Sequence, residues 1–201
     1  MSLDLYTARV RAPKLAMPLV FAFHGTGGDE AQLFSLADQL VPGAGIVSPR
    51  GDVLEFGAAR FFKRTGEGVY DMDDLARATD KMIAFIEAHR AANPGHPVYA
   101  FGYSNGANIL AAVLLKRPDL FDRTALLHPL VPWHPEENSG LTGQKILISA
   151  GKRDPITPWH MSETLISWLK GQGADVETEL HDGGHELRNS ELTALQAFFN
   201  D

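Results

Sequence analysis

Val98-Tyr99-Ala100-Phe101-Gly102-Tyr103-Ser104-Asn105-Gly106 runs from an apolar segment into a G-x-S-x-G pattern, and the residues that follow, to Lys116, are rich in Ala and Leu. This order predicts a buried strand, a serine on a sharp turn and a helix from Ser104 to Lys116. The flanking glycines let neighbouring backbone pass close to the turn. Chance alone yields roughly 0.08 such patterns in a chain of this composition, so the placement between strand and helix carries the weight.

The same alternation extends outward in both directions. Leu19-Val20-Phe21-Ala22-Phe23 ends in His24-Gly25-Thr26-Gly27-Gly28, Ala125-Leu126-Leu127 ends at His128-Pro129, and Lys145-Ile146-Leu147-Ile148-Ser149-Ala150 ends in Gly151. Apolar runs without polar alternation predict strands covered on both faces, the habit of a parallel sheet. Gly45 to Ser48 and the more polar Asp175 to Leu180 supply two further strands. Helical periodicity fills the intervals: Asp71 to Arg90 with Asp71 as N-cap, Pro158 to Lys170, and Ser190 to Asn200. Strands alternating with helices imply right-handed crossovers and a doubly wound α/β sandwich. No repeat, linker or low-complexity tract divides the chain, so residues 1–201 are expected to form one domain without a large cap. Pro49 to Arg64 fits no regular element, and long irregular segments in such domains are often functional.

Composition bounds the chemistry. The 201 residues are 44% hydrophobic, carry 18 basic against 25 acidic groups for a net charge of −7, and include no cysteine. Without a basic excess there is nothing to offset phosphate charge, so nucleic acid and anionic membranes are not expected partners. Absence of cysteine excludes disulfides, thiolate catalysis and cysteine-ligated metals. It suits cytosol and periplasm alike. Met1 to Tyr6 has no leader-like pattern and no apolar window approaches a membrane span, so a cytoplasmic location is expected.

Serine needs a base. His185, in Asp182-Gly183-Gly184-His185-Glu186-Leu187, stands on a glycine-rich loop between the last strand and the last helix. The order Ser…Asp…His selects Asp154, in Gly151-Lys152-Arg153-Asp154-Pro155, to orient the imidazole and stabilise its cation. Asp182 is the rival acid, but so near His185 it is expected to shape the loop. The run Asp71, Asp73, Asp74 suits a helix start rather than a catalytic pair. His181 and His185 are spaced like metal ligands, yet the two glycines between them break the helix such a site needs, and no metal is expected. For the oxyanion the expected donors are the backbone N–H groups of Asn105 and Thr26. His24 to Gly28 lacks the lysine and the glycine spacing of phosphate loops.

Phe61, Phe62, Leu130, Val131 and Trp133 are the candidates to line an apolar acyl or aryl site; equally, they are residues that anchor loops to a core. Arg60, Lys63 and Arg64 either meet an acidic substrate or organise their own loop, with Arg60 pairing with Glu55, and the second reading is the one expected.

These residues resemble the phospholipase/carboxylesterase group of α/β-hydrolases, and within it the small bacterial carboxylesterases linked to hydroquinone and catechol resistance. The likeness runs through His24 to Glu30, Ser48-Pro49-Arg50-Gly51, Arg60 to Arg64, Gly102 to Asn108, His128-Pro129-Leu130-Val131-Pro132, Asp154-Pro155-Ile156 and Gly184 to Leu187. It implies an α/β-hydrolase fold, a Ser104–Asp154–His185 triad, cleavage of small carboxylic esters, no cofactor, and by analogy a homodimer. The Gly25-Thr26-Gly27 loop and the Ser104-Asn105-Gly106 elbow differ from the acyl-protein thioesterase branch. The competing readings are a peptidase or thioesterase with the same triad, and a catalytically silent binding or sensor protein on the same fold. A cysteine-dependent dienelactone hydrolase has no nucleophile here.

Overall fold

The apolar runs pair side by side in the computed structural model, which describes residues 2–201. In chain order the strands are β1 (Ala8–Arg11), β2 (Leu19–Phe23), β3 (Gly45–Pro49), β4 (Val53–Glu55), β5 (Ala58–Arg60), β6 (Arg64–Gly66), β7 (Val69–Tyr70), β8 (Val98–Tyr103), β9 (Arg123–Leu127), β10 (Lys145–Gly151) and β11 (Asp175–His181). The helices are α1 (Phe34–Leu40), α2 (Met72–Ala92), α3 (Asn105–Lys116), α4 (Trp159–Gly171) and α5 (Asn189–Asn200). One seven-stranded sheet has the order β1-β3-β2-β8-β9-β10-β11, parallel throughout except for the antiparallel edge pair β1–β3.

Both faces of the sheet are covered. Along β2, Leu19, Phe21 and Phe23 join the core beneath α2, α3 and α4, while Val20 and Ala22 join the one beneath α1 and α5. Unbroken apolar runs are the consequence of that double burial. Helix α2 starts where the acidic run stands: Asp71 accepts a hydrogen bond from the Asp74 N–H at 3.0 Å, with Asp73 and Asp74 at the positive end of the helix dipole.

The segment Pro49 to Arg64, expected to be irregular, instead contains a β4–β5 hairpin and the start of a second, β6–β7. Phe56 and Gly57 make the first turn with φ of 50° and 85°, a turn usually signalled by Asn-Gly. Among the described residues no large cap covers the carboxyl ends of the strands, and no helix is long and apolar enough to cross a membrane. Those carboxyl ends share one edge. Thr26 follows β2, Ser104 follows β8, His128 follows β9, Asp154 follows β10 and His185 follows β11.

Candidate active site

Ser104 sits between β8 and α3 with φ 53° and ψ −117°, a conformation costing on the order of 1–3 kcal/mol for a residue with a Cβ. Two close approaches enforce it. A Cβ on Gly102 would lie 2.5 Å from the Gly106 carbonyl oxygen, and one on Gly106 would run into the backbone of Phe23 and His24. The strand-to-helix junction is therefore tight enough to hold the turn, and Ser104 N–H is tied to the Leu127 carbonyl at 2.9 Å.

The turn presents Ser104 Oγ to His185 Nε2 at 2.8 Å, and His185 Nδ1 meets Asp154 Oδ2 at 2.7 Å. Nδ1 must carry the proton to donate to a carboxylate, which leaves the Nε2 lone pair for the serine hydroxyl. Asp154 is only 5% exposed. Burial pushes its pKa up, but hydrogen bonds from Thr157 N–H, His185, His128 and Ile156 N–H outweigh that and hold it below the usual carboxylate range. The three residues read from chain order are thus brought into one hydrogen-bonded series. Asp182 is not among them; its side chain is exposed, 3.7 Å from Lys152.

Thr26 and Asn105 face the same cleft as Ser104. Among the described residues neither backbone N–H has a hydrogen-bond partner, whereas Gly27 N–H is engaged by the Ala59 carbonyl at 2.9 Å. The loop that carries Thr26 is fastened beneath by His24, whose Nδ1 bonds the Gly25 carbonyl at 2.7 Å and whose Nε2 accepts from Gly51 N–H at 2.9 Å. Strand β5 and the residue after it tie the two donors together. Arg60 Nη1 donates to Thr26 Oγ1 at 2.8 Å and Phe61 N–H to Asn105 Oδ1 at 2.8 Å.

This clamp corrects the expected substrate lining. Phe61 and Phe62 are fully buried: Phe61 packs on His24 and Phe23, and Phe62 on Tyr70. With the Phe61 N–H fixed on Asn105, its ring points into the core rather than the cleft. Val131 also belongs to the core, and Trp133 lines a separate groove with Met72 and Leu75. Of the five candidates only Leu130 reaches the cleft, a space of about 320 Å³ whose walls also include Arg60, Arg64, Tyr70, Asn108 and Ile156. Tyr70 and Asn108 were not apparent from the sequence; Tyr70 OH donates to the Leu130 carbonyl at 3.0 Å and accepts from Asn108 Nδ2 at 2.7 Å. Arg60 and Arg64 share Glu55, at 3.7 and 2.9 Å, so the expected ion pair is present and the loop is organised by it.

Behind Asp154 lies a second set of polar groups that sequence reasoning missed. His128 Nδ1 is 3.0 Å from Asp154 Oδ2, and its Nε2 is 2.9 Å from Glu191 Oε1. Glu191, fully buried on α5, also accepts from Ser149 Oγ at 2.6 Å and Arg188 N–H at 2.7 Å, with His181 Nε2 at 3.2 Å. The two imidazole contacts to Glu191 are close but too poorly aligned to count as well-formed hydrogen bonds. Burial alone would lower the His128 pKa and raise that of Glu191; their mutual contact and their neighbours reverse both, raising His128 and lowering Glu191. The only signal in the sequence was a histidine at the carboxyl end of a strand.

His128, His181 and Glu191 are close enough to hold a cation. However, His181 Nδ1 accepts from Gly183 N–H at 3.0 Å, so its proton is on Nε2 and an N–H, not a lone pair, faces Glu191.

A pH signature follows. A carboxylate whose folded pKa is depressed contributes stability that is present above its unfolded value, about 4.3 for Glu, and lost as pH falls through the folded value. Glu191→Gln should cost about 3–5 kcal/mol at pH 7 by leaving His128 without its counter-charge. It should also make the loss of stability toward pH 3 shallower. Urea midpoints of both proteins across that range check this, and parallel slopes would remove Glu191 from the account.

The geometry finds company among known proteins. Residues 16–147 match the family model Hydrolase_4, described as serine aminopeptidase, S33. MhqD of Bacillus subtilis (strain 168), named as a hydrolase, is 39% identical over 187 residues, covering 91% of this chain and 92% of that protein. Among solved structures, Atu2452 from Agrobacterium tumefaciens superposes with a TM-score of 0.92 at 50% identity, over 98% of this chain and 97% of that one. A carboxylesterase from Bacillus cereus gives 0.91 at 32% identity, over 97% and 93%. A family match over more than half the chain, and a relative this similar along nearly its whole length, make this chain a hydrolase of the α/β-hydrolase family.

Proposed function

We propose that the chain is a serine carboxylesterase acting on small carboxylic esters through an acyl-enzyme on Ser104. The observation that carries this reading is the series Ser104–His185–Asp154, at 2.8 and 2.7 Å, opening onto a cleft that also holds two unpartnered backbone N–H groups. Ser104 Oγ attacks the ester carbonyl carbon while His185 Nε2 takes the hydroxyl proton. The carbonyl oxygen becomes an oxyanion facing the N–H groups of Thr26 and Asn105. Collapse expels the alkoxide, which leaves with the proton from His185. Water then repeats the sequence on the acyl-enzyme and releases the carboxylic acid. Asp154 keeps the imidazole in the tautomer that both halves need. Similarity to the Bacillus cereus carboxylesterase supports ester rather than peptide cleavage as the chemistry.

A cleft of about 320 Å³ is at the low end for small-molecule sites, which supports short acyl chains. Hydrolysis of p-nitrophenyl acetate, butyrate, hexanoate and octanoate should therefore favour the two shortest. Background rates on all four, together with no labelling by a fluorophosphonate, would replace the esterase with a silent binding protein on the same fold.

A further inference from the structure

Asp154 and Glu191 are two buried carboxylates, 5% and 0% exposed, and the groups around them leave few sources of compensating charge. His185 is committed elsewhere, with Nδ1 on Asp154 and Nε2 on the Ser104 hydroxyl. His181 accepts from Gly183 N–H on Nδ1, which leaves a single ring N–H, at Nε2. His128 remains. It lies between the carboxylates, with one ring nitrogen 3.0 Å from Asp154 and the other 2.9 Å from Glu191. The Glu191 oxygen is out of line for a well-formed hydrogen bond, but a carboxylate this close to each ring nitrogen favours a proton on both, because a bare lone pair against a carboxylate oxygen at that distance is repulsive.

We propose that His128 is a positioning residue for the triad: a permanently charged imidazolium, anchored by Glu191, that fixes Asp154 and offsets the negative charge His185 would otherwise face. The kinetic half of this proposal rests on the esterase reading of Ser104; the charge state does not. The surroundings of the ring are closed on every side. From β8, the Tyr103 ring packs edge-on at 6.0 Å. From β10 and its loop, Asp154 meets the ring at Nδ1, while the Ser149 carbonyl accepts the His128 backbone N–H at 3.0 Å and Thr157 Oγ1 donates to the His128 carbonyl. From β11, α5 and their connection come His181 at 5.5 Å, His185 at 5.1 Å between ring centres, and Glu191. The backbone at His128 has φ 52°, a left-handed conformation that a non-glycine residue rarely adopts, and here it turns the ring back between the two acids.

The arrangement has a chemical purpose. With His128 charged, the network of Asp154, Glu191 and His128 carries one net negative charge, neutralised when His185 accepts the serine proton. With a neutral residue in its place two negative charges face His185, which would hold its proton too tightly to act as a base.

Two variants and one spectrum test this. In His128→Gln, the acid limb of the kcat/KM profile for p-nitrophenyl acetate should move up by about one to two pH units, given a charge removed roughly 5 Å away. In the double variant H128Q/E191Q the same net charge as in the wild type is restored, and the limb should return to within a few tenths of a unit. A merely structural role lowers kcat in both without that reversal. A limb that stays put in H128Q, or fails to return in the double variant, overturns the proposal. Should the variants not fold, the wild type answers: nitrogen-15 spectra of the histidine rings should show both nitrogens of His128 protonated at pH 8, and a neutral tautomer there overturns it. If the wild type hydrolyses no ester, the esterase reading fails while the spectrum still decides the charge of His128.

Discussion

Replacing Ser104 by alanine should lower kcat/KM for p-nitrophenyl acetate by roughly 10⁴- to 10⁶-fold while leaving the fold intact. Oγ is the atom His185 Nε2 faces at 2.8 Å, and among the described residues no other hydroxyl bonds to that imidazole. What remains after its removal is the cleft and the oxyanion donors, which retain a small advantage over water. Alanine keeps the Cβ, so the strained backbone at φ 53° is neither relieved nor worsened, and the urea midpoint should stay near that of the wild type. This separates chemistry from stability: a rate that collapses along with the midpoint would indicate unfolding. A properly folded alanine variant retaining more than a tenth of the activity would show that another group is the nucleophile.

The parts of this molecule that were legible in the sequence are those in which one physical demand dominates. Strands β2, β8, β9 and β10 are buried on both faces over most of their length, so each contains an apolar run: Leu19 to Phe23, Val98 to Phe101, Ala125 to Leu127 and Ile146 to Ile148. Ser104 and Asp154 were legible because each stands just beyond such a strand, and His185 because it lies on the glycine-rich loop after the more polar β11, in the chain order the triad requires. By contrast, β1 pairs with only one neighbour and is largely exposed, so Ala8–Arg11 has no apolar run to reveal it. Helix α1 is seven residues long and has no side-chain cap. The β4–β5 turn hides behind Phe56, which gives no turn signal. Phe61 and Phe62 were ambiguous for a different reason: aromatic residues suit a core and a cleft equally, and their direction is set by the Phe61 N–H bond to Asn105, which composition does not carry. His128 was invisible as a functional residue because its meaning depends on Glu191, which reaches it only when the last helix packs on the sheet.

The turn at Ser104 depends as much on Gly106 as on the serine, and Gly106→Ala should destabilise the protein by more than about 4 kcal/mol. Alanine is favoured over glycine inside a helix by about 1 kcal/mol, so propensity alone predicts a gain. Sterics decide otherwise. The added Cβ would overlap the carbonyl oxygen of Phe23 and come within 2.5 Å of that of His24, and both belong to backbone rather than to a side chain that can rotate away. Helix α3 would have to lift from β2, carrying with it Asn105 N–H and the Asn105 Oδ1 that holds Phe61. Activity should therefore fall even in whatever fraction still folds. Gly171→Ala is the control: it lies at the end of α4 with nothing within 4 Å of its Cβ and no left-handed backbone, so there the propensity gain should survive as a rise of up to about 1 kcal/mol. Urea midpoints of the two variants should move in opposite directions. A Gly106→Ala protein with the wild-type midpoint and activity would mean that α3 can slide on the sheet without disturbing the serine, and that the tight junction is not what holds the turn.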